Sequence, residues 1–280
     1  MAAKPHKPLL TNAARPATFE VEALNERGEM VPTSIAGEHP LTIYLDKREL
    51  VTLMTLGHAP EALAIGFLRN QRLVAGIEDI DAVQVDWETE SVAVTTNKKT
   101  NVEKKTRKKT VTTGCGQGTV YGDLMEEIDR IKLRDDITLA DTDLYVLLEK
   151  VRRHETIYKQ AGAVHGCALA TCDGEIRMFV EDVGRHNAED AIAGFMWLDA
   201  IDGSDKLFYT TGRLTSEMVI KCAQMRIPFL VSRSGLTKMG YDIAQQVGLT
   251  MIGRASGRHF LAFTGAHRLK RTAPQPTALA

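Results

Sequence analysis

Residues 206–253 read KLFYTTGRLTSEMVIKCAQMRIPFLVSRSGLTKMGYDIAQQVGLTMIG, and the order of patterns within them decides the fold. Lys206–Thr211 and Pro228–Ser232 are short, mostly apolar runs with aromatic and β-branched residues, which suit buried strands. Ser216–Met225 and Lys238–Val247 instead place apolar residues at helical spacing, and Gly248 stops the second of them. Leu249–Gly253 then reads as another strand. Strand alternating with helix at these lengths implies a parallel or mixed sheet covered by helices. Ligands of such sheets gather beyond the carboxyl ends of the strands.

Moving outward, Phe260–Thr264 extends the strand series and Asn187–Leu198 reads as a helix. Val164–Thr171 and Glu175–Val180 flank Asp173-Gly174, a strong hairpin signal. Asp143–Arg153 puts Leu144, Leu147, Leu148 and Val151 on one helical face, with Thr142 as the expected N-cap. Further upstream come a strand at Leu41–Leu45, a helix entered at Pro60, and a hairpin from Val83–Trp87 and Ser91–Thr96. The helix at Pro60 shows Leu63, Ala64, Phe67 and Leu68 on one side. The expected architecture is α/β: a mixed sheet flanked by helices in a C-terminal domain over 141–269, and a smaller N-terminal α+β domain over 18–140. Residues 1–17 and 270–280 are rich in Pro, Lys and Ala without apolar period and read as solvated tails.

Composition narrows the function classes. With 35 Lys and Arg against 36 Asp and Glu, the 280-residue chain carries a formal net charge of −1, which nominates no polyanionic partner. The one basic run, Lys98 to Lys109, lacks interleaved aromatics and any recognition motif, so nucleic-acid binding is not expected. No stretch approaches the ~20 apolar residues of a membrane span, and residues 1–16 hold no apolar leader core. A cytoplasmic protein with no membrane contact is expected. The four cysteines, Cys115, Cys167, Cys172 and Cys222, include no C-x-x-C pair, so neither a disulfide scaffold nor a zinc site is expected.

Three features could carry chemistry. Glu181-Asp182-Val183-Gly184-Arg185-His186-Asn187 packs acid, guanidinium, imidazole and amide between a strand and a helix. It is either a solvated loop with Asn187 capping the helix, or a ligand loop in which Arg185, His186, Asn187 and the helix amides meet an anion. Thr211-Gly212-Arg213, Ser232-Arg233-Ser234-Gly235 and Arg254–His259 each join glycine, a hydroxyl and arginine at a strand end. They form a polyanion pocket or are turns on different faces. Cys115 lies in Thr112-Thr113-Gly114-Cys115-Gly116-Gln117-Gly118, where glycines leave the thiol little neighbouring bulk and the upstream lysines favour the thiolate. It is a reactive cysteine or an incidental turn residue.

Gly184-Arg185-His186-Asn187 after Glu181-Asp182-Val183, Thr211-Gly212-Arg213 before Ser216-Glu217-Met218, and the cysteine loop occur together and in order. In this the chain resembles the FdhD family of formate dehydrogenase accessory proteins, over roughly His39 to Thr264. The resemblance implies a sulfur carrier that accepts sulfur from a cysteine desulfurase as a persulfide on Cys115. It would pass that sulfur to the molybdenum cofactor, bis(molybdopterin guanine dinucleotide), before insertion into formate dehydrogenase. It further implies a cytidine deaminase-like larger domain, a homodimer, and a cofactor-binding segment at Arg254, Ala255, Ser256, Gly257, Arg258 and His259. Arg185, His186, Asn187 and Arg213 join that segment on chemical grounds alone. Gly118 stands where the family often has a second loop cysteine, which keeps open a rival: a chaperone that holds the cofactor without moving sulfur. A zinc deaminase would need H-x-E and P-C-x-x-C, and the chain has neither.

Overall fold

A computed structural model describes residues 7–97, 128 and 130–272. The elements over residues 7–97 are β1 (Leu9–Leu10), β2 (Thr18–Leu24), β3 (Met30–Ala36), β4 (His39–Leu45), β5 (Arg48–Thr55), α1 (Pro60–Asn70), β6 (Ile80–Asp86) and β7 (Ser91–Thr96). Then follow β8 (Leu139–Ala140), α2 (Asp141–His154), α3 (Ile157–Ala161), β9 (His165–Thr171), β10 (Ile176–Asp182), α4 (Arg185–Leu198), β11 (Lys206–Thr210) and α5 (Ser216–Gln224). The last are β12 (Phe229–Ser232), α6 (Lys238–Val247), β13 (Thr250–Ser256), β14 (His259–Ala262) and β15 (Leu269–Lys270).

The chain divides into two compact units, and they are not successive halves. The first takes the described residues within Met1–Glu127 together with Glu155–Cys167 and Val180–Ile201. The second takes Ile128–His154, Ala168–Phe179 and the described residues from Asp202 onward. A single boundary near residue 140 therefore misses two returns of the chain. The physical reason lies in α4, whose glycine is matched to a glycine of α1.

In the first unit a five-stranded sheet has the order β1-β6-β7-β4-β5. β4 pairs antiparallel with β5 and parallel with β7, and β6 and β7 form the expected hairpin. Alternation sends Leu41, Ile43 and Leu45 of β4 and Val92 and Val94 of β7 inward, each no more than 1% exposed. α1 packs on β6 and β7 and on α4. Pro60 sits in its first turn, where a missing N–H leaves no bond unmade. An added Cβ on Gly66 would lie 2.5 Å from the Asp190 carbonyl carbon and 2.8 Å from Gly194 N, and one on Gly194 would collide with the Ala62 carbonyl. The two backbones cross so closely that only hydrogen fits at both positions.

Residues from Lys7 to Ala17, expected as tail, are built into this unit. β1 pairs parallel with β6, Ala13 N donates to Glu61 Oε1 at 2.9 Å, Trp87 Nε1 donates to Ala13 O, and the Arg15 guanidinium stacks 5.0 Å over the Trp87 ring. A two-residue strand carries almost no periodicity, which is why it escapes a pattern reading. The hairpin of β2 and β3, also absent from the sequence reading, forms a separate two-stranded sheet, and α3 packs against it.

The second unit carries a six-stranded sheet of order β10-β9-β11-β12-β13-β14. β11, β12 and β13 run parallel, and β14 returns antiparallel to β13 across a bulge between Gly253 and Ser256. Leu207, Tyr209, Phe229, Val231 and Ile252 from alternate strand positions meet Leu144, Leu147, Leu148 and Val151 of α2 in one core. α5 and α6 pack on each other, with α6 against β13. The β9–β10 turn falls at Asp173-Gly174 as expected, with Gly174 at φ +79°. α2 begins at Asp141, so Thr142 lies inside the helix and is not its cap. Asp141 instead accepts from Thr272 N and Oγ1, at 3.2 and 2.6 Å, so the chain remains held two residues past the expected start of the C-terminal tail. Arg254, Ala255 and Ser256 belong to β13 and His259 opens β14, so the expected loop is the end of a strand hairpin.

Candidate functional site

Chemistry-bearing residues concentrate at two places, one in each unit. In the first unit the end of β10 meets the β5–α1 connection and the start of α4. Asp182 is its hub: its carboxylate accepts from Thr55 Oγ1 at 2.5 Å, Leu56 N at 3.2 Å, Gly184 N at 3.0 Å and Asn187 Nδ2 at 2.9 Å. Burial pushes the Asp182 carboxyl up from its usual range, and these four donors pull the other way. Its neighbour Glu181 accepts from Thr156 N and Oγ1, Ile157 N and Tyr158 N, so it supplies the acceptors that the start of α3 lacks.

Asn187 is not the helix cap. It lies in the third position of α4, 5% exposed, and its amide also donates to Met54 O at 2.6 Å. Arg185 and His186 are equally buried, at 5% and 4%. Farther along α4, Asp190 accepts from Asn70 Nδ2 at 2.6 Å and the Ala193 carbonyl from Arg69 Nη1 at 2.7 Å. The sequence reading offered a solvated loop or an open ligand loop here. The structure makes the cluster interior, with both carboxylates and Asn187 consumed by the protein itself.

In the second unit the parallel strands β11, β12 and β13 end together, and their loops are stitched to one another. Ser232 Oγ donates to Gly212 O at 2.6 Å and accepts from Ser234 N at 2.9 Å. Leu214 N donates to Gly235 O at 3.0 Å, Thr237 N to Leu214 O at 3.0 Å, and Arg254 N to Ser234 O at 2.9 Å. The three loops therefore share one edge of the sheet, as parallel topology requires. Arg213, Arg254 and Arg258 are exposed there and make no side-chain hydrogen bond or ion pair among the described residues. Ser256, Gly257 and His259 are exposed beside them, whereas Ala255 points into the core. Arg254 has φ +52°, an unusual conformation for a side chain of that size, next to the bulge. Thr215 precedes α5 with its hydroxyl buried and unpaired among the described residues, a polar group the sequence reading passed over.

Cys115 and the basic run of Lys98 to Lys109 lie outside the described residues. The other three cysteines are reduced: Cys167 and Cys222 are buried, and burial, with Asp205 adding to it, pushes the Cys172 thiol up to about 11. A thiol so shifted is almost wholly protonated at neutral pH and makes a poor nucleophile. Among the described residues no group of three or more His, Cys, Asp or Glu could hold a metal ion, and no helix is long and apolar enough to cross a membrane.

Comparison with known proteins places these features in context. The family model described as the FdhD/NarQ family matches residues 36–270. A protein named sulfur carrier protein FdhD from Listeria innocua is 31% identical over 242 residues, covering 85% of this chain and 92% of the relative. One of the same name from Wolinella succinogenes is 31% identical over 233 residues, 83% of this chain and 81% of the relative. A crystal structure from Desulfotalea psychrophila, assigned as a formate dehydrogenase accessory protein, superposes with a TM-score of 0.73 at 25% identity, over 91% of this chain and all of that one.

Proposed function

Since the chain belongs to the FdhD/NarQ family, we propose that it is a cytoplasmic sulfur carrier for formate dehydrogenase, loading sulfur on Cys115 and delivering it to the molybdenum cofactor, its client, before insertion. The observation that carries this reading is the family match, which runs through the cysteine loop and both polar clusters. In the loading step the Cys115 thiolate attacks the outer sulfur of a persulfide on a cysteine desulfurase. A new S–S bond forms on Cys115, the donor's S–S bond breaks, and the donor cysteine leaves as thiolate. The lysines preceding Cys115 favour its anion and fit an acidic patch on the donor. The chemistry at molybdenum belongs to the cofactor.

The client needs a cradle for two pyrophosphates and two guanines. Arg213, Arg254 and Arg258 at one sheet edge, without partners among the described residues, supply guanidinium forks suited to phosphate. Ser256, Gly257 and His259 extend the edge, and Ala255 anchors the strand from the core side. The cytidine deaminase-like layout belongs to the same proposal and is assigned to the domain whose sheet has the order β10-β9-β11-β12-β13-β14. A homodimer and a sulfurtransferase-like role complete the reading.

Incubation with a cysteine desulfurase and cysteine should add one sulfur atom to the intact chain, read by mass spectrometry, and Cys115→Ala should abolish it. Unchanged labelling of the variant would remove the carrier role from Cys115. Arg258→Ala should weaken GDP binding in calorimetry, and undiminished affinity would take the hairpin out of the cofactor site. Gly118, in place of a second loop cysteine, favours one alternative: a chaperone that holds the cofactor while Cys115 is dispensable. Full formate dehydrogenase maturation by Cys115→Ala, with loss in Arg258→Ala, would select it.

A further inference from the structure

Arg185 presents a problem that the fold does not solve. It is 5% exposed, its Nε is sealed from solvent without an acceptor, and its side chain makes no hydrogen bond or ion pair among the described residues. A buried guanidinium with no acceptor is costly, because its lost hydration is not replaced. Two neighbouring carboxylates are already occupied, Glu181 by Thr156, Ile157 and Tyr158, and Asp182 by Thr55, Leu56, Gly184 and Asn187.

Arg185 is the first residue of α4, a 14-residue helix whose N-cap, Gly184, offers no side-chain acceptor to the first amides. Side chains in a helix tilt toward its N-terminus, which here is the end where the Gly184 cap leaves the amides without a side-chain acceptor. Of the Arg185 guanidinium nitrogens, Nε is the one both sealed from solvent and without a partner among the described residues. A second orphan stands at the same junction. His58 follows Leu56 and Gly57, and Leu56 N shares Asp182 with Gly184 N. The His58 Nδ1 is buried with no hydrogen-bond partner among the described residues. Burial lowers the affinity of this imidazole for a second proton, and Asp182 and then Glu181 oppose that.

We propose that Arg185, His58 and the first amides of α4 form a binding subsite in the first unit for a phosphate-class oxyanion. One oxygen meets the guanidinium, another the imidazole N–H, and the helix terminus supplies the remaining donors. The chemistry fits inorganic phosphate or pyrophosphate as well as the pyrophosphate of a guanine nucleotide. The inference does not rest on sulfur transfer by Cys115, whose labelling is read separately.

The test is calorimetry of the full chain with inorganic pyrophosphate and with GDP, together with the ¹⁵N shift of the Arg185 Nε group. Pyrophosphate should bind the wild type and move the Arg185 resonance. Arg185→Gln and His58→Ala should each weaken it at least tenfold, while Arg177→Gln, at an exposed strand position paired with Glu175, leaves it unchanged. Should Arg185→Gln fail to fold, His58→Ala decides alone. Binding of GDP without pyrophosphate, lost in both variants, assigns the oxyanion to a nucleotide. No binding of either probe, or affinity unchanged in His58→Ala and in folded Arg185→Gln, overturns the proposal, whatever the outcome of sulfur labelling.

Discussion

Replacing Gly66 with alanine separates two opposed physical effects. Helix propensity alone favours alanine over glycine in a helix interior by about 1 kcal/mol. Tertiary geometry opposes it, because the new methyl would overlap the Asp190 carbonyl and stand 2.8 Å from Gly194 N. These neighbours are all backbone, so no side chain can swing aside, and α1 and α4 must part by roughly 1–2 Å to restore contact distance. Parting them strains the buried bonds from Asn70 to Asp190 and from Arg69 to Ala193 O, at 2.6 and 2.7 Å. It also loosens a helix in which Leu63, Ala64, Ile65 and Leu68 are no more than 2% exposed. Overpacking together with loosened burial predicts a net loss of about 3–5 kcal/mol. The assay is urea denaturation followed by far-UV circular dichroism, with Gly194→Ala as a companion and Gly235→Ala, whose Cβ would meet nothing within 4 Å, as control. Gly66→Ala should unfold at clearly lower urea than wild type while the control stays within about 0.5 kcal/mol. A Gly66→Ala protein as stable as wild type, or stabilised by about the propensity difference, would refute the close crossing.

Asp182→Ala leaves four buried donors without an acceptor and should cost about 3 kcal/mol or more in the same denaturation assay, whereas Asp173→Ala at an exposed turn should cost far less. Asp135 accepts from His267 Nε2 at 2.7 Å and Arg268 Nε at 2.8 Å, and these bonds, His267 first, hold its carboxyl below the usual range. Its folded pKa being depressed, its contribution is present above the ordinary carboxylate pKa and is lost as pH falls through the folded value. Asp135→Asn should therefore flatten the acid limb of a stability–pH profile, and an unchanged limb would contradict the pairing. Thr237 accepts from Gly240 N at 3.2 Å at the start of α6, so Thr237→Ala should lower stability by about 1 kcal/mol in thermal unfolding. Cys172, with its thiol pushed up to about 11, should resist iodoacetamide at pH 7.5 in peptide mapping and react only as the medium becomes strongly alkaline.

Much of the fold was legible because its signals are local. The Pro60 start of α1, the Gly248 stop of α6 at φ +74°, and the turn at Asp173-Gly174 each rest on a few adjacent residues. β12 is buried at every position and β11 at all but its first, so these strands are legible as continuous apolar runs. What escaped was either too short to show a period, as in β1, or exposed on both faces, as in the β2–β3 ribbon with Phe19, Leu24, Met30 and Ile35 all at least 44% exposed. In the candidate site, the three Gly–Arg loops were readable as strand ends, and parallel order then gathers them. The fate of the Glu181–Asn187 cluster was not readable, since the same seven letters suit a wet loop or a buried hub.

The amino-acid sequence by itself determined the alternation of strands and helices, most element boundaries, the residues with chemical capacity, and the motif order that marks the family. Those properties depend on neighbours within one or two turns of chain. Only the tertiary structure decided that residues 155–167 and 180–201 fold with the N-terminal segment, that Asp182 serves Thr55 and Leu56, and that Arg185 is interior with no acceptor for its Nε among the described residues. Each of these turns on surfaces far apart in the chain, where a pair of hydrogens at Gly66 and Gly194 lets two backbones meet. No local pattern encodes which surface will be the partner.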